Sequence, residues 1–417
     1  MKKVLILGAG VYQTPLIKKA KQMGLYTIVA SIPGNYPGFK EADKILYIDT
    51  TNKEDILLAA QEERIDAICT TGTDVAIETL GYVCDQMGLC GLSYQAAQLA
   101  SNKRLMKSAF EAHGVRTARF RTVKMDGSDL LENIANLRPP LIFKAVDTSG
   151  SRGIMIAAQP SEYELALKHA SSATKLDYII IEEFLEGSEF GAQALVHDGK
   201  IIFILPHGDY VYIGDTGVPI GHYAPYMITE TMMLDVKSQL EKAVAALGLD
   251  NCAINADFIF YDNESYVLEI GARAGATCLV ELVGIYYGTD YYEELIKNSL
   301  GEPIIWNIMD HPIPNASFLL YSDVAGIIES QDNFNSPDDD IVDVSFDYNI
   351  GDSIRKFKTG PDRIGQIITK GKTLKEAQQL LQKAVDHIEI AVKNDTGDRI
   401  IVETPITSSY LNEGGMN

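Results

Sequence analysis

Residues 253–273 read AINADFIFYDNESYVLEIGAR, and the reading of the whole chain turns on this stretch. Ala253 to Phe260 and Ser265 to Ile270 are apolar, strand-like runs, and Asp262-Asn263 between them is turn chemistry. The expected product is a hairpin with one carboxylate in each arm, Asp257 and Glu269. A carboxylate in an otherwise buried strand is costly unless it is paired or holds a metal. A hairpin brings both acids to one face, where they make a fitting pair of oxygen ligands for Mg²⁺. The competing reading is two unrelated acids at strand ends. Arg273 follows at once, between Gly271-Ala272 and Ala274-Gly275. Those glycines let the backbone pass close to a ligand, and the guanidinium can clamp a phosphoryl or carboxylate oxygen with two N–H groups.

Upstream, Lys144 closes a strand-like run, Leu141 to Ala145, and precedes Asp147-Thr148-Ser149-Gly150-Ser151-Arg152-Gly153. Glycines there let backbone N–H groups converge on phosphate oxygens, Ser149 and Ser151 add hydroxyls, and Lys144 adds a point charge. A flexible hairpin loop with a surface lysine is the plain alternative. Glu182-Glu183-Phe184-Leu185 ends the run Tyr178 to Glu182, with Glu189 close behind. These are either solvated acids at a strand end or a linker whose backbone reads adenine while Glu189 accepts the ribose hydroxyls.

The first roughly 95 residues alternate strand signals (Val4 to Leu7, Tyr26 to Ala30, Ile45 to Ile48, Ala67 to Thr70) with helical ones (Tyr12 to Met23, Ile56 to Glu63, Asp74 to Gln86). That order predicts a parallel, Rossmann-like sheet flanked by helices. Gly8-Ala9-Gly10 invites a dinucleotide reading, but Gln13 stands where a third glycine belongs and Ser31 where an acid should close the second strand. The remainder reads as α+β. Ser101 is the expected N-cap of a helix from Lys103 to His113, and further helices are expected at Tyr163 to Ser171 and Leu234 to Leu247. Strands are expected at Gly153 to Ala157, Ala192 to Val196 and Ile201 to Leu205. Beyond Gly301, Ser317 to Tyr321, Ile341 to Phe346 and Ile364 to Thr369 read as strands and Thr373 to Val392 as one amphipathic helix.

The chain has 417 residues, too many for one core, and a formal charge of −21 from 57 acidic and 36 basic residues. So acidic a surface repels phosphate backbones and anionic lipid, which argues against nucleic acid and membrane as partners. Five cysteines without CxxC spacing point to a reduced compartment, and the short apolar run after Met1 is no signal peptide. The expected location is cytoplasmic.

Taken in order, Lys103, Lys144 with its Ser/Gly loop, Glu182 to Leu185, Glu189, Asp257, and Glu269 to Arg273 resemble the ATP-grasp superfamily. The resemblance extends over about residues 1–395 and implies three domains. These are a Rossmann-like domain at 1–95, a two-subdomain ATP-grasp domain at 96–305, and a small α+β domain at 306–417 similar to the C-terminal region of biotin carboxylases. It implies that Lys103 and Lys144 hold the α- and β-phosphates of ATP and that Ser149, Gly150, Ser151 and Gly153 cover the triphosphate. Glu182, Glu183, Phe184 and Leu185 would bind adenine and Glu189 the ribose. Asp257 and Glu269 would carry Mg²⁺, or Mn²⁺ in its place, and Arg273 would face the transferred phosphoryl group. Two departures stand out, Gly271 where the family commonly has Asn and Ala145 where it often has Pro. Gly271-Ala272-Arg273 and Gly221-His222-Tyr223-Ala224-Pro225 look more like the amino-acid and dipeptide ligases than the purine enzymes. There His222, on a Gly/Pro-bounded loop, would meet substrate or shuttle a proton, unless it is a loop histidine without a role. The implied activity joins a small-molecule carboxylate to an amine through an acylphosphate, and a homodimer is compatible with it. The rivals are a bicarbonate-phosphorylating enzyme and a nucleotide-binding module without turnover.

Overall fold

The computed structural model describes residues 1–148, 153–212, 217–306 and 309–402. Val4 to Leu7 are completely buried, as a strand covered on both faces must be. They form the centre of a parallel sheet in the order Lys44–Tyr47, Tyr26–Ser31, Lys3–Leu7, Ala67–Cys69. Gln13 occupies the first turn, where its side-chain oxygen accepts from the Gly10 N–H at 3.0 Å and its amide donates to the Thr71 carbonyl at 2.5 Å.

A second, antiparallel sheet runs Phe120–Lys124, Tyr178–Glu183, Leu141–Lys144, Ile154–Ala157. The third sheet carries the site. Its eight antiparallel strands are, in order, Glu264–Gly271, Cys252–Tyr261, Ser188–His197, Lys200–Val211, Pro219–Ala224, Asn315–Leu320, Gly365–Lys370 and Ile341–Phe346. Strands from both sides of residue 305 share it. A small fourth sheet, Ser353–Ile354, Gly326–Asn333, Ile388–Lys393, Arg399–Ile401, completes the chain. No helix among the described residues is long and apolar enough to cross a membrane.

Several expectations are corrected. Ser101 does not cap the helix after it. It ends a helix of its own, Tyr94–Ser101, and Asn102 is the cap, its side chain accepting from the N–H groups of Arg104 and Leu105. The expected long helix after Thr373 stops at Asp386, and Ile388–Lys393 is a strand whose apolar run continues the same hydrophobic pattern in a different conformation. Helices Leu279–Tyr287 and Tyr291–Ser299 went unread, the first because it is apolar nearly all round and has no polar face to set a period. His222 is not on a loop. It lies in the strand Pro219–Ala224, inside the eight-stranded sheet.

Candidate active site

The hairpin forms as expected: Asp257 pairs directly with Glu269 across it, so both side chains leave the same face of the large sheet. Asp257 also pairs with Gly191, and Gly191 with His207, which extends the row across four strands. Asp257 reaches solvent yet is ringed by carboxylates. Burial, then the charges of Glu269 and Asp209, push its carboxyl up to about 8, an effect tempered by the water it touches. Acids gathered in this way fit a divalent cation.

The cations expected at the nucleotide all have acid partners. Lys103 Nζ lies 2.7 Å from Glu269 Oε1 and donates to the Thr148 carbonyl at 2.6 Å. Lys144 Nζ donates to Glu182 Oε2 at 3.1 Å. Arg273 Nη2 donates to Asp74 Oδ2 at 3.0 Å, with Nε 2.8 Å from Oδ1. Asp74 comes from the N-terminal sheet region, and its Oδ1 lies 3.2 Å from where a side chain on Gly271 would begin. Arg273, expected to face the transferred phosphoryl group, thus holds an ion pair with an acid from the N-terminal sheet region.

Glu182 is not a solvated acid at a strand end. Its carboxylate, 1% exposed, points inward to Lys107 Nζ at 2.8 Å and to Lys144, which leaves only the backbone of this residue to face outward. Burial alone would raise its pKa, but Lys107 and Lys144 together hold it below the usual range. Glu183, next along the strand, points the other way and pairs with Arg119 and Arg138. Phe184 leaves the strand with its N–H on the Pro140 carbonyl, and Leu185 follows half-buried. Glu189 is exposed beside this row, and burial of its surroundings raises its pKa. Ser149, Gly150 and Ser151 lie outside the described residues. Gly153 is a left-handed residue (φ +68°) whose missing Cβ would sit 2.5 Å from the Ala173 Cβ, so the loop's exit demands glycine.

Sequence reading missed Lys107, His207, Asp209 and Gln193. Lys107 carries no pattern beyond a helical position. His207 and Asp209 were lost because the strand was ended at Leu205, before a proline that normally leaves a sheet interior. The strand instead runs on to Val211. Asp209 Oδ1 lies 3.0 Å from His207 Nδ1 and 2.6 Å from His222 Nδ1. Farther along the same face is a small polar pocket whose walls include Tyr12, Thr277, Cys278, Glu281, Arg363 and Gln366.

Residues 101–277 match the family model described as the phosphoribosylglycinamide synthetase ATP-grasp (A) domain. A solved phosphoribosylglycinamide synthetase from Anaerococcus prevotii is 37% identical, with 94% of this chain and 100% of that one covered at a TM-score of 0.83. The chain belongs to the ATP-grasp ligases. Residues 318–393 of this ATP-grasp chain match L-amino acid ligase C-terminal domain 2. The L-amino acid ligase from Bacillus licheniformis shares the fold at 20% identity, TM-score 0.78, over 94% of this chain and 99% of its own. Alanine–anticapsin ligase from Bacillus subtilis is 24% identical over 266 residues, a stretch spanning 58% of this chain and 56% of that enzyme. ATP-grasp enzymes use ATP with Mg²⁺, and the biotin carboxylase domain of the Hydrogenobacter thermophilus 2-oxoglutarate carboxylase has been solved as a dimer with MgADP, ADP and bicarbonate.

Proposed function

We propose that this ATP-grasp chain activates the carboxylate of an amino acid as an acylphosphate and joins it to an amine, releasing ADP and phosphate. The observation that carries the reading is the cross-strand pair Asp257–Glu269, set on the same sheet face as a polar cavity walled by Arg363 and Glu281. Arg363 donates to Asp347 through Nε at 2.7 Å and Nη2 at 3.3 Å, and to Gln366 through Nη1 at 2.6 Å. Of its five N–H groups two are left over, enough for a carboxylate. Glu281, which accepts from the Tyr292 hydroxyl at 2.8 Å, can take an ammonium. A cavity with one of each charge suits a zwitterion.

Lys103 and Lys144 then exchange their acid partners for α- and β-phosphate oxygens, the backbone of residues 182–185 takes adenine, and Glu189 takes the ribose. Residues 149–153 cover the triphosphate and exclude water from the acylphosphate. Mg²⁺ on Asp257 and Glu269, or Mn²⁺ there, would neutralise phosphate charge. Arg273 steadies the transferred phosphoryl group, and His222 serves the amine. The domain limits 1–95, 96–305 and 306–417, a cytoplasmic location for the five free cysteines, and a homodimer belong to the same proposal. The relatives' names supply two candidate amines, a second amino acid and phosphoribosylamine.

The test offers the full chain ATP, Mg²⁺ and the twenty proteinogenic L-amino acids with hydroxylamine, which traps acylphosphates as hydroxamates. ADP and hydroxamate should form together with at least one amino acid. ADP release that answers to bicarbonate alone, or nucleotide binding without release, would overturn the proposal.

A further inference from the structure

A chain of hydrogen bonds that the reading above does not use crosses the sheet beside Asp257. It begins at Gln193, whose Oε1 accepts the Gly275 N–H at 2.9 Å. That bond fixes the amide so that its NH₂ faces Asn255 Oδ1 at 2.5 Å and His207 Nε2 at 3.3 Å. His207 Nε2 must therefore accept, so the ring proton sits on Nδ1 and is donated to Asp209. A second proton on His207 would point at the N–H of Gln193. The ring is locked in place as well: it lies over Gly191, where a Cβ would come within 2.1 Å of it. Burial lowers the pKa of His207, in the direction that favours a neutral ring.

Asp209 thus receives one fixed N–H from a histidine whose other ring nitrogen is already occupied by a donor. His222 pairs opposite it on the next strand, with Nδ1 2.6 Å from the same carboxylate oxygen. Burial works against ionisation of Asp209, but His222 and His207 hold its pKa well below the usual range. With Nδ1 donating to Asp209, His222 keeps a lone pair on Nε2. Along the sheet His222 comes after the acid row and before the cavity. It pairs with Ser317, and the strand beyond that carries Gln366, a cavity wall residue.

We propose that Gln193, His207 and Asp209 are positioning residues that make His222 the acceptor of the proton lost by the attacking amine. The inference rests on the ligase reading. In the step, an ammonium group gives one proton to His222 Nε2, and its freed lone pair forms the C–N bond at the acyl carbon. The C–O bond to phosphate then breaks, and phosphate leaves with that electron pair. The second nitrogen proton goes to the phosphate, and His222 later returns its proton to solvent.

The test exploits the nucleophile. Hydroxylamine is largely unprotonated at neutral pH and needs no base, whereas the α-amine of an amino acid is largely protonated there. With the amino acid that the wild type converts to its hydroxamate, Asp209→Asn should lower amide formation by at least about a hundredfold more than hydroxamate formation, the scale of general-base catalysis. His222→Gln, read beside its melting temperature, should split the two products in the same way if Asp209→Asn fails to fold. Equal loss of both products in the folded variants would overturn the relay but leave the ligase standing. Absence of hydroxamate from the wild type would sink the ligase reading and the relay with it.

Discussion

Glu182 and Asp257 are both carboxylates on sheet strands near the expected nucleotide, and their surroundings are opposite. Glu182 is sealed from water and shared by Lys107 and Lys144. Asp257 touches water, makes no ion pair among the described residues, and faces Glu269, Asp209 and Glu189. The first arrangement is internally neutralised, so it stabilises the folded state when intact and is costly when broken. The second is strained by like charge and relaxes when a proton or a metal cation arrives. An acid among cations is therefore a feature of the scaffold, and an acid among acids is the one we propose for the chemistry.

The comparison is broken most directly at Glu182. Glu182→Ala leaves two lysines unpaired, one of them fully buried, and should cost roughly 3–5 kcal/mol in urea unfolding. A change within error would mean that Lys107 and Lys144 find other partners and that the site is not a structural pair. Asp257→Asn should do the reverse, with folding intact and amino-acid-dependent ADP release cut by more than about a hundredfold. Near wild-type turnover would remove the metal from this hairpin.

Arg273 tests the boundary between the two kinds of site, since its guanidinium is paired like Glu182 but lies next to the acid row. Arg273→Lys keeps the charge and loses the fork, and should lower turnover by roughly ten- to a hundredfold with little change in ATP affinity by calorimetry. A lowered melting temperature with unchanged turnover per folded molecule would make the Asp74 pair purely structural.

The smallest effect is one of pH. In the metal-free protein the folded state holds the Asp257 proton up to about pH 8, whereas the unfolded chain loses it near the ordinary value of about 3.9. In that window the folded state binds more protons, so this group's contribution is greatest at acid pH and falls as pH rises toward 8. Melting temperatures in EDTA should fall more steeply from pH 5 to 8 in the wild type than in Asp257→Asn. Parallel slopes would show that the acids do not repel one another as placed.

The sequence by itself determined the parallel N-terminal sheet, the hairpin and the order of the residues proposed to face the nucleotide. These depend on local signals: apolar runs of strand length, a turn dipeptide, a glycine at a loop exit. It placed Asp257 and Glu269 together because a tight turn fixes which residues pair. It could not place Asp209 beside His222, because that pairing depends on a strand running through a proline and on another strand where the chain reads as a loop. Nor could it show that Glu182 points inward to Lys107, 75 residues away in the chain. Alternation along a strand says that neighbouring acids face opposite ways, but only the packed sheet decides which of them meets a lysine and which meets water. Partnership between distant charges is set by where the backbones come to rest, and that is a property of the tertiary structure alone.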